Sequence, residues 1–487
     1  MTKPDSCDLL IRNATIIDGT GANRLTGDLA VTGDRITAMG DLSQMTASRS
    51  VDGTGQVLAP GFIDAHTHDD AVLLARPDMT PKVSQGVTTV VAGNCGVSLA
   101  PLEIRRPVPP PLDLIGGTQS YKYPKFSGYL DQLDKDPATV NAIFLVGHAT
   151  LREGAMDQLD RPATAAEITQ MQRTLDEALD AGVVGMSTGL FYPPARCAPT
   201  EEIIELAKGL KPVGGIYVTH MRDEADHLEK SVEEAIRIGA DADVQVIISH
   251  HKATGVKNWG KVMRTLPMIE KARERQRIAM DVYPYLASST ILQESSIGVS
   301  KRVIVTWSES MPEMAGRDLS DIAAELGLSD LDAAEKLKPA GAVYFSMDEA
   351  DVQRVLSHSL SMIGSDGLPH DTKPHPRLWG TFPRVLGHYA RDVGLFTLEQ
   401  AVHKMTGMTA REFGISERGV LKVGNFADLT LFNPDEIIDA ADFENPMQPA
   451  PGVNLVVVNG QAVWQSGTHT GARPGRALRR QALQSAA

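Results

Sequence analysis

The sequence predicts an α/β fold in which an eight-stranded parallel (β/α)8 barrel, of TIM-like architecture, carries a small β-sandwich domain and an inserted lid. Short apolar runs alternate with amphipathic helical stretches through the middle of the 487-residue chain, which favours a parallel sheet. Eight such runs can be counted, which is the number that closes a barrel. Short β-rich runs separated by turn signals lie at both chain ends.

The eight predicted barrel strands are each followed by polar or glycine-rich sequence. They are APGFIDAHTH, VTTVVAGN, NAIFLVGH, VVGMSTGL, GIYVTH, VQVIISH, IAMDVYPY and LSMIGSD. We therefore assign residues 59–414 to the barrel. Residues 286–357 exceed an ordinary connection between strands seven and eight, which predicts a lid or subdomain within the barrel.

The two chain ends are expected to close one small β domain, residues 1–58 and 415–487. The first segment alternates β-rich runs with turns such as Gly19-Thr20-Gly21, which is typical of an antiparallel meander. In the second, Asn459-Gly460 between two apolar runs is a strong hairpin signal.

Composition restricts the partners that the chain can attract. With 42% hydrophobic and 22% charged residues, the chain can bury a large core. A net charge of -14 repels phosphate backbones and anionic lipid surfaces, so neither nucleic acid nor membrane is an expected partner. Three scattered cysteines and an N-terminus without an apolar leader favour a cytoplasmic protein. The oligomeric state stays open.

Two histidines end the first predicted barrel strand. His66 and His68 are two residues apart, so the period-2 alternation of a strand sends both side chains to one face. Two imidazoles on one face can share a metal ion, although a His-Thr-His run alone also arises by chance.

Four further candidate ligands lie at the ends of other strands. They are Cys95, which follows strand two, and His220, His250 and Asp366, which end strands five, six and eight. The carboxyl ends of barrel strands converge on one face, where barrel enzymes place their active sites. This shared placement favours a metal site over the alternative of unrelated rim or core residues.

Six motifs surround these positions: GFIDAHTHDD, GVTTVVAGNCG, YVTHMRDE, ISHHKATG, GSDGLPH and HPRLWGTFPRVLG. Together they resemble the D-aminoacylase, or N-acyl-D-amino-acid deacylase, family of the amidohydrolase superfamily, over nearly the whole chain. The resemblance implies a zinc-dependent hydrolase of linear amide bonds, acting on a small N-acyl-D-amino acid. The C-terminal run GVLKVGNFADLTLFNP is similar to the closing β-segment of many amidohydrolases.

The same resemblance implies which residues hold the metal. The tight zinc site would be Cys95, His220 and His250, and a second, weaker site would be His66, His68 and Asp366. Three protein ligands with an open fourth position are typical of catalytic zinc. Whether one or two ions bind stays open.

The resemblance also implies the roles of the residues that meet the substrate. Asp366 would take a proton from the attacking water and return it to the leaving amine. The substrate α-carboxylate would be held by Arg377, Tyr283 and Ser289, with Lys252 as a further candidate. A guanidinium fork suits a carboxylate, and a tyrosine hydroxyl adds a directed donor.

Two other functions are weighed against this one. Hydantoinase-like and dihydropyrimidinase-like cyclic-amide hydrolases carry a carboxylated lysine at the end of strand four. Here that strand ends Met186-Ser187-Thr188-Gly189, which speaks against a cyclic-amide hydrolase and makes the Cys95 thiolate the natural anionic ligand. A non-catalytic interaction protein on the same scaffold would carry no stoichiometric zinc.

Three other polar positions are ambiguous in the sequence. Arg302 lies in the apolar run VSKRVIVTW, so it is either a solvated surface charge or a buried cation that would favour N-acyl-D-glutamate as substrate. His148 ends strand three and is as consistent with a rim position as with the site. His251 is expected to face away from His250.

Overall fold

Eight parallel strands form a nearly closed barrel in the computed structural model, which describes residues 6–480. Each strand pairs with the next along the chain, as predicted, and a bridge between Thr67 and Gly367 joins the last strand to the first. The strands are Phe62–Asp64, Val87–Ala92, Asn141–Gly147, Gly185–Gly189, Ile216–His220, Gln245–Ile248, Ile278–Val282 and Ser361–Ile363. Residues 1–5 and 481–487 of the predicted terminal domain lie outside the described residues.

Burial on both faces explains why the barrel strands read as continuous apolar runs. In Asn141–Gly147, the side chains of Ile143 and Leu145 join the cluster inside the barrel, together with Val91 and Ile247. Phe144 belongs instead to the larger cluster shared with the surrounding helices. Period-2 alternation therefore divides one apolar strand between two cores.

Helices surround the barrel between these strands. The longer helices are Phe126–Lys135, His148–Ala155, Ala165–Asp180, Thr200–Lys208, Leu228–Ala242, Val262–Arg273, Glu349–Ser357, Arg377–Arg384, Leu398–Met405 and Gly407–Glu412. Shorter α-helical turns are Val72–Ala75, Thr80–Val83 and Pro193–Arg196; Leu112–Leu114, Lys211–Val213 and Val256–Asn258 are 3-10 turns, and Val385–Asp392 is a π-helix. Among residues 6–480, no helix combines the length and hydropathy needed to cross a membrane.

Both chain ends contribute strands to one nine-stranded sheet. The strands are Ser6–Ile16, Leu25–Thr32, Arg35–Gly40, Thr46–Asp52, Val57–Pro60, Leu429–Phe432, Val453–Val458, Gln461–Gln465 and Thr468–His469. The two ends meet where Leu58 lies opposite Leu431 in an antiparallel pair. Asn459 and Gly460 have φ values of 47° and 80° and form the predicted hairpin turn.

A separate small sheet is inserted between barrel strands seven and eight. Its antiparallel strands are Ala287–Ile291, Val303–Ser308 and Ala340–Phe345, and its helical segments are Glu294–Ile297, Pro312–Met314, Leu319–Leu326 and Asp330–Leu337. These segments share an apolar cluster of their own. The helix Glu349–Ser357 packs instead on barrel strands seven and eight, so it is a barrel helix, and the inserted unit ends before the predicted residue 357. A further short pair, Leu102–Glu103 with Lys122–Tyr123, lies after strand two.

Candidate active site

The predicted ligands converge at the carboxyl ends of the barrel strands, around a cavity of about 170 Å³. The Cys95 Sγ lies 3.2 Å from His66 Nε2 and 3.4 Å from His250 Nε2. On the other side, Asp366 Oδ1 lies 3.1 Å from His68 Nε2 and 3.4 Å from His66 Nε2. All of these side chains are buried. Residues from four different strand ends are thus in direct contact.

Three of the candidate ligands have a left-handed backbone, which non-glycine residues rarely adopt. The φ values are 53° at Cys95, 35° at His250 and 50° at Asp366. Two hydrogen bonds fix the last two: His250 N donates to Asp281 Oδ1 at 2.8 Å, and Asp366 N donates to His66 O at 2.8 Å. Strained backbone that is fixed by its surroundings is typical of functional sites.

The Cys95 loop folds over the end of strand four. A Cβ at Gly189 would lie 2.2 Å from the carbonyl oxygen of Cys95, and a Cβ at Gly96 would lie 2.6 Å from Gly189 N. Ser187 holds the loop, because its Oγ accepts a hydrogen bond from Gly96 N at 3.0 Å. The volume that a strand-four side chain would occupy is therefore filled by the loop that presents the thiol.

The protonation of this group of side chains suits a metal ion. Burial opposes ionisation of Cys95, but the adjacent His66 and His250 rings lower the pKa of its thiol well below the usual range. Burial also opposes ionisation of Asp366, yet Arg377 and His66 lower the pKa of that carboxyl well below its usual range. One thiolate, one carboxylate and several imidazoles form a donor set typical of zinc.

The candidate ligand atoms fall into two overlapping groups. Within each group all atoms lie within 4.8 Å of one another, and the groups are His66, Cys95, His250 and Asp366, and His220, Glu224 and His250. His250 belongs to both. The predicted division into a tight set and a weaker set stays a prediction, since these groups divide the ligands differently.

Two buried carboxylates beside the ligands were not identified from the sequence. Glu224 Oε1 lies 3.0 Å from His250 Nδ1, and its other oxygen lies 2.7 Å from Lys252 Nζ. Asp281 Oδ2 lies 3.3 Å from His66 Nδ1. A carboxylate on the far nitrogen of an imidazole fixes its orientation and leaves the other nitrogen for a metal. A carboxylate inside the apolar strand IAMDV was the available signal for Asp281.

Three of the predicted substrate-binding residues line the cavity, and two do not. Tyr283, Ser289 and Lys252 line it, whereas Arg377 is fully buried behind Tyr283, with its guanidinium carbon 4.6 Å from the tyrosine ring centroid. Arg377 Nη1 lies 2.9 Å from Asp366 Oδ2. Among the described residues, Tyr283 Oη, Ser289 Oγ and Arg377 Nε have no hydrogen-bond partner.

Arg302 lies at the surface, which is one of the two placements that the sequence left open. Its side chain is 51% exposed, and it forms a two-contact ion pair with Asp318, at 2.7 and 2.9 Å, on the surface of the inserted unit. It does not line the cavity. His148 is buried but pairs with Glu202 at 3.0 Å, outside the cavity.

His251 is directed away from the ligands, as expected. Its Nε2 lies 2.8 Å from Thr265 Oγ1 in the neighbouring helix.

Comparison with known proteins identifies the family. A model described as the amidohydrolase family matches residues 49–211 and 209–464, which together are most of the chain. The chain belongs to the amidohydrolase family. This amidohydrolase is 54% identical to a D-aminoacylase of Alcaligenes xylosoxydans xylosoxydans, over 99% of this chain and all of the relative.

Solved structures extend the comparison. A D-aminoacylase crystal structure superposes with a TM-score of 0.95 at 53% identity, covering 97% of this amidohydrolase and 100% of that chain. An N-acyl-D-glutamate deacylase from Bordetella bronchiseptica, complexed with zinc and a phosphonate mimic of the tetrahedral intermediate, gives 0.95 at 44% identity with the same coverage. An L-hydantoinase from Arthrobacter aurescens gives 0.62 at 16% identity over 97% of this chain and 100% of that one, which is a likeness of fold alone.

Proposed function

We propose that this amidohydrolase uses zinc to hydrolyse N-acyl-D-amino acids to a carboxylate and a free D-amino acid. The observation that carries the proposal is the placement of two unpartnered buried hydroxyls, on Tyr283 and Ser289, in the wall of the cavity that contains the candidate zinc ligands. A buried polar group without a partner is costly, and an anionic substrate group supplies the missing acceptor. The α-carboxylate of an acylated amino acid is such a group, and it lies a few bonds from the amide.

Different residues of the site would bind the substrate and transfer the proton. When bound, zinc polarises an amide carbonyl and acidifies water. Arg377 keeps Asp366 ionised, so this carboxylate is ready to accept a proton from the attacking water. Asp366 would then pass the proton to the leaving nitrogen. Tyr283 and Ser289 would hold the substrate at its carboxylate and so fix the amide over the ligand set.

The proposed preference for D substrates is inferred from two relatives, a D-aminoacylase and an N-acyl-D-glutamate deacylase. The side-chain preference is a separate question. Because Arg302 lies on the surface, it supplies no counter-charge for a glutamate side chain in the cavity. Lys252 lines the cavity but is already paired with Glu224.

One substrate panel tests the proposal. It contains the N-acetyl derivatives of leucine, methionine, aspartate and glutamate in both hands, together with a hydantoin and dihydrouracil. The proposal predicts release of D-amino acids and little hydrolysis of the L forms or the rings. Preferential ring opening would indicate a cyclic-amide hydrolase, and a metal-free inactive protein would indicate an interaction scaffold.

A further inference from the structure

A lysine is buried behind the histidine pair, outside the cavity. Lys82 is 1% exposed and lies in the short helix Thr80–Val83, before barrel strand two. Its Nζ donates to Asp64 Oδ2 at 2.8 Å and to Ser365 Oγ at 3.0 Å, and it lies 3.2 Å from Asp69 Oδ2. Burial opposes its positive charge, but Asp64 and Asp69 raise the pKa of Lys82, so the ammonium is charged.

The partners of Lys82 belong to the two loops that carry His66, His68 and Asp366. Asp64 ends barrel strand one and Ser365 follows strand eight. Asp64 also joins these loops directly, because its Oδ1 accepts hydrogen bonds from Ser365 N at 2.7 Å and from His66 N at 3.3 Å. The ammonium therefore ties together the strands that close the barrel, directly behind the candidate ligands.

In the described part of the chain, the remaining candidate ligands form no hydrogen bond or ion pair with Lys82 or its three partners. Cys95 follows strand two, His220 ends strand five and His250 follows strand six. Glu224 lies beside His250, whereas Asp281 contacts both His250 and His66. Removal of Lys82 would thus loosen one ligand set while the other keeps its supports.

We propose that Lys82 is a positioning residue that sets the separation between the His66–His68 pair and Asp366, and thereby the affinity of the second metal site and the placement of the proton acceptor. This inference rests on the proposed metal-dependent function. Residues that orient metal ligands from behind typically change metal affinity or activity by about 10–100-fold when they are removed.

The test compares Lys82→Met with Lys404→Met, which removes another buried lysine. Lys404 donates to Ser361 O at the opposite end of barrel strand eight, so the control perturbs the same strand away from the ligands. Each protein is loaded with one equivalent of zinc, and uptake of a second equivalent is followed by calorimetry. We expect Lys82→Met to keep the first zinc and to bind the second at least about tenfold more weakly. Its kcat should fall by a larger factor than its KM changes. Lys404→Met should behave like wild type in both measurements.

A second variant covers the case in which Lys82→Met does not fold. Ser365→Ala removes one partner of the ammonium without leaving an unpaired charge, and it should weaken the second zinc in the same direction by a smaller factor. The proposal is overturned if folded Lys82→Met or Ser365→Ala binds the second zinc as tightly as wild type does. It is also overturned if wild type takes up only one zinc ion, or if Lys404→Met weakens binding of the second zinc by the same factor. Failure of the proposed function gives a different result, namely a wild-type protein that binds no zinc or cleaves no N-acyl-D-amino acid.

Discussion

Replacement of Asp366 by asparagine should both lower kcat and lower the free energy of unfolding. The side chain contacts two histidines and also neutralises Arg377, whose guanidinium is fully buried. Asparagine keeps the shape but can neither accept a proton nor balance the charge. We expect kcat to fall at least about a hundredfold, the lower range for a general base.

The stability loss follows from the geometry of the ion pair. At 2.9 Å and an effective dielectric constant of about 20, two unit charges attract by about 6 kcal/mol. Breaking buried pairs in proteins costs about 3–5 kcal/mol, because the remaining charge stays uncompensated. We expect a loss in this range in the free energy of unfolding, measured by urea titration of chelator-treated protein.

A surface pair of the same chemistry provides the control. Asp318 pairs with Arg302 at 2.7 Å, but the arginine side chain is 51% exposed, so Asp318→Asn should cost less than about 1 kcal/mol and leave kcat unchanged. Equal losses for the two variants, or an active Asp366→Asn enzyme, would refute the reasoning.

Four further predictions concern single residues. Cys95→Ala should leave less than stoichiometric zinc after dialysis, by metal analysis, because the thiolate ligand is lost. Glu224→Gln should weaken zinc binding about 10–100-fold in a chelator competition, because His250 loses its orienting carboxylate. Tyr283→Phe should raise KM about tenfold with a smaller change in kcat, if its free hydroxyl holds the substrate. Burial raises the pKa of Asp371 to about 7, so the folded protein holds this proton more tightly than the unfolded chain does. The free energy of unfolding of wild type should therefore fall as the pH rises from about 4 to about 7. Asp371→Asn should remove up to about 4 kcal/mol of that fall, measured by urea titrations across this pH range.

The fold was largely predictable because parallel barrel strands carry a local signal. A strand such as Asn141–Gly147 is apolar on both faces and is followed by the polar residue His148, and both properties are visible in the sequence. The positions of His66, His68, Cys95, His220, His250 and Asp366 followed from the strand ends alone. The direct contacts between them needed the closed barrel.

The supporting residues and the lid were harder to predict. Lys82 and Asp64 are eighteen residues apart, and their partner Ser365 is far along the chain, so no local pattern joins them. The sequence could not decide between the two placements of Arg302, because a β-like apolar run does not show which end of a small sheet faces solvent. In the structure Val303 and Val305 enter the core of the inserted unit, while Arg302 reaches the surface acid Asp318.

The dependence of activity on zinc content tests the central claim most directly. Chelator-treated protein is titrated with zinc while the release of D-methionine from N-acetyl-D-methionine is measured, with N-acetyl-L-methionine as the matched substrate. We expect activity to be absent without metal, to rise in proportion to the first equivalent of zinc and to be confined to the D substrate. Zinc-loaded protein that hydrolyses neither substrate, or metal-free protein that keeps its activity, would contradict the account.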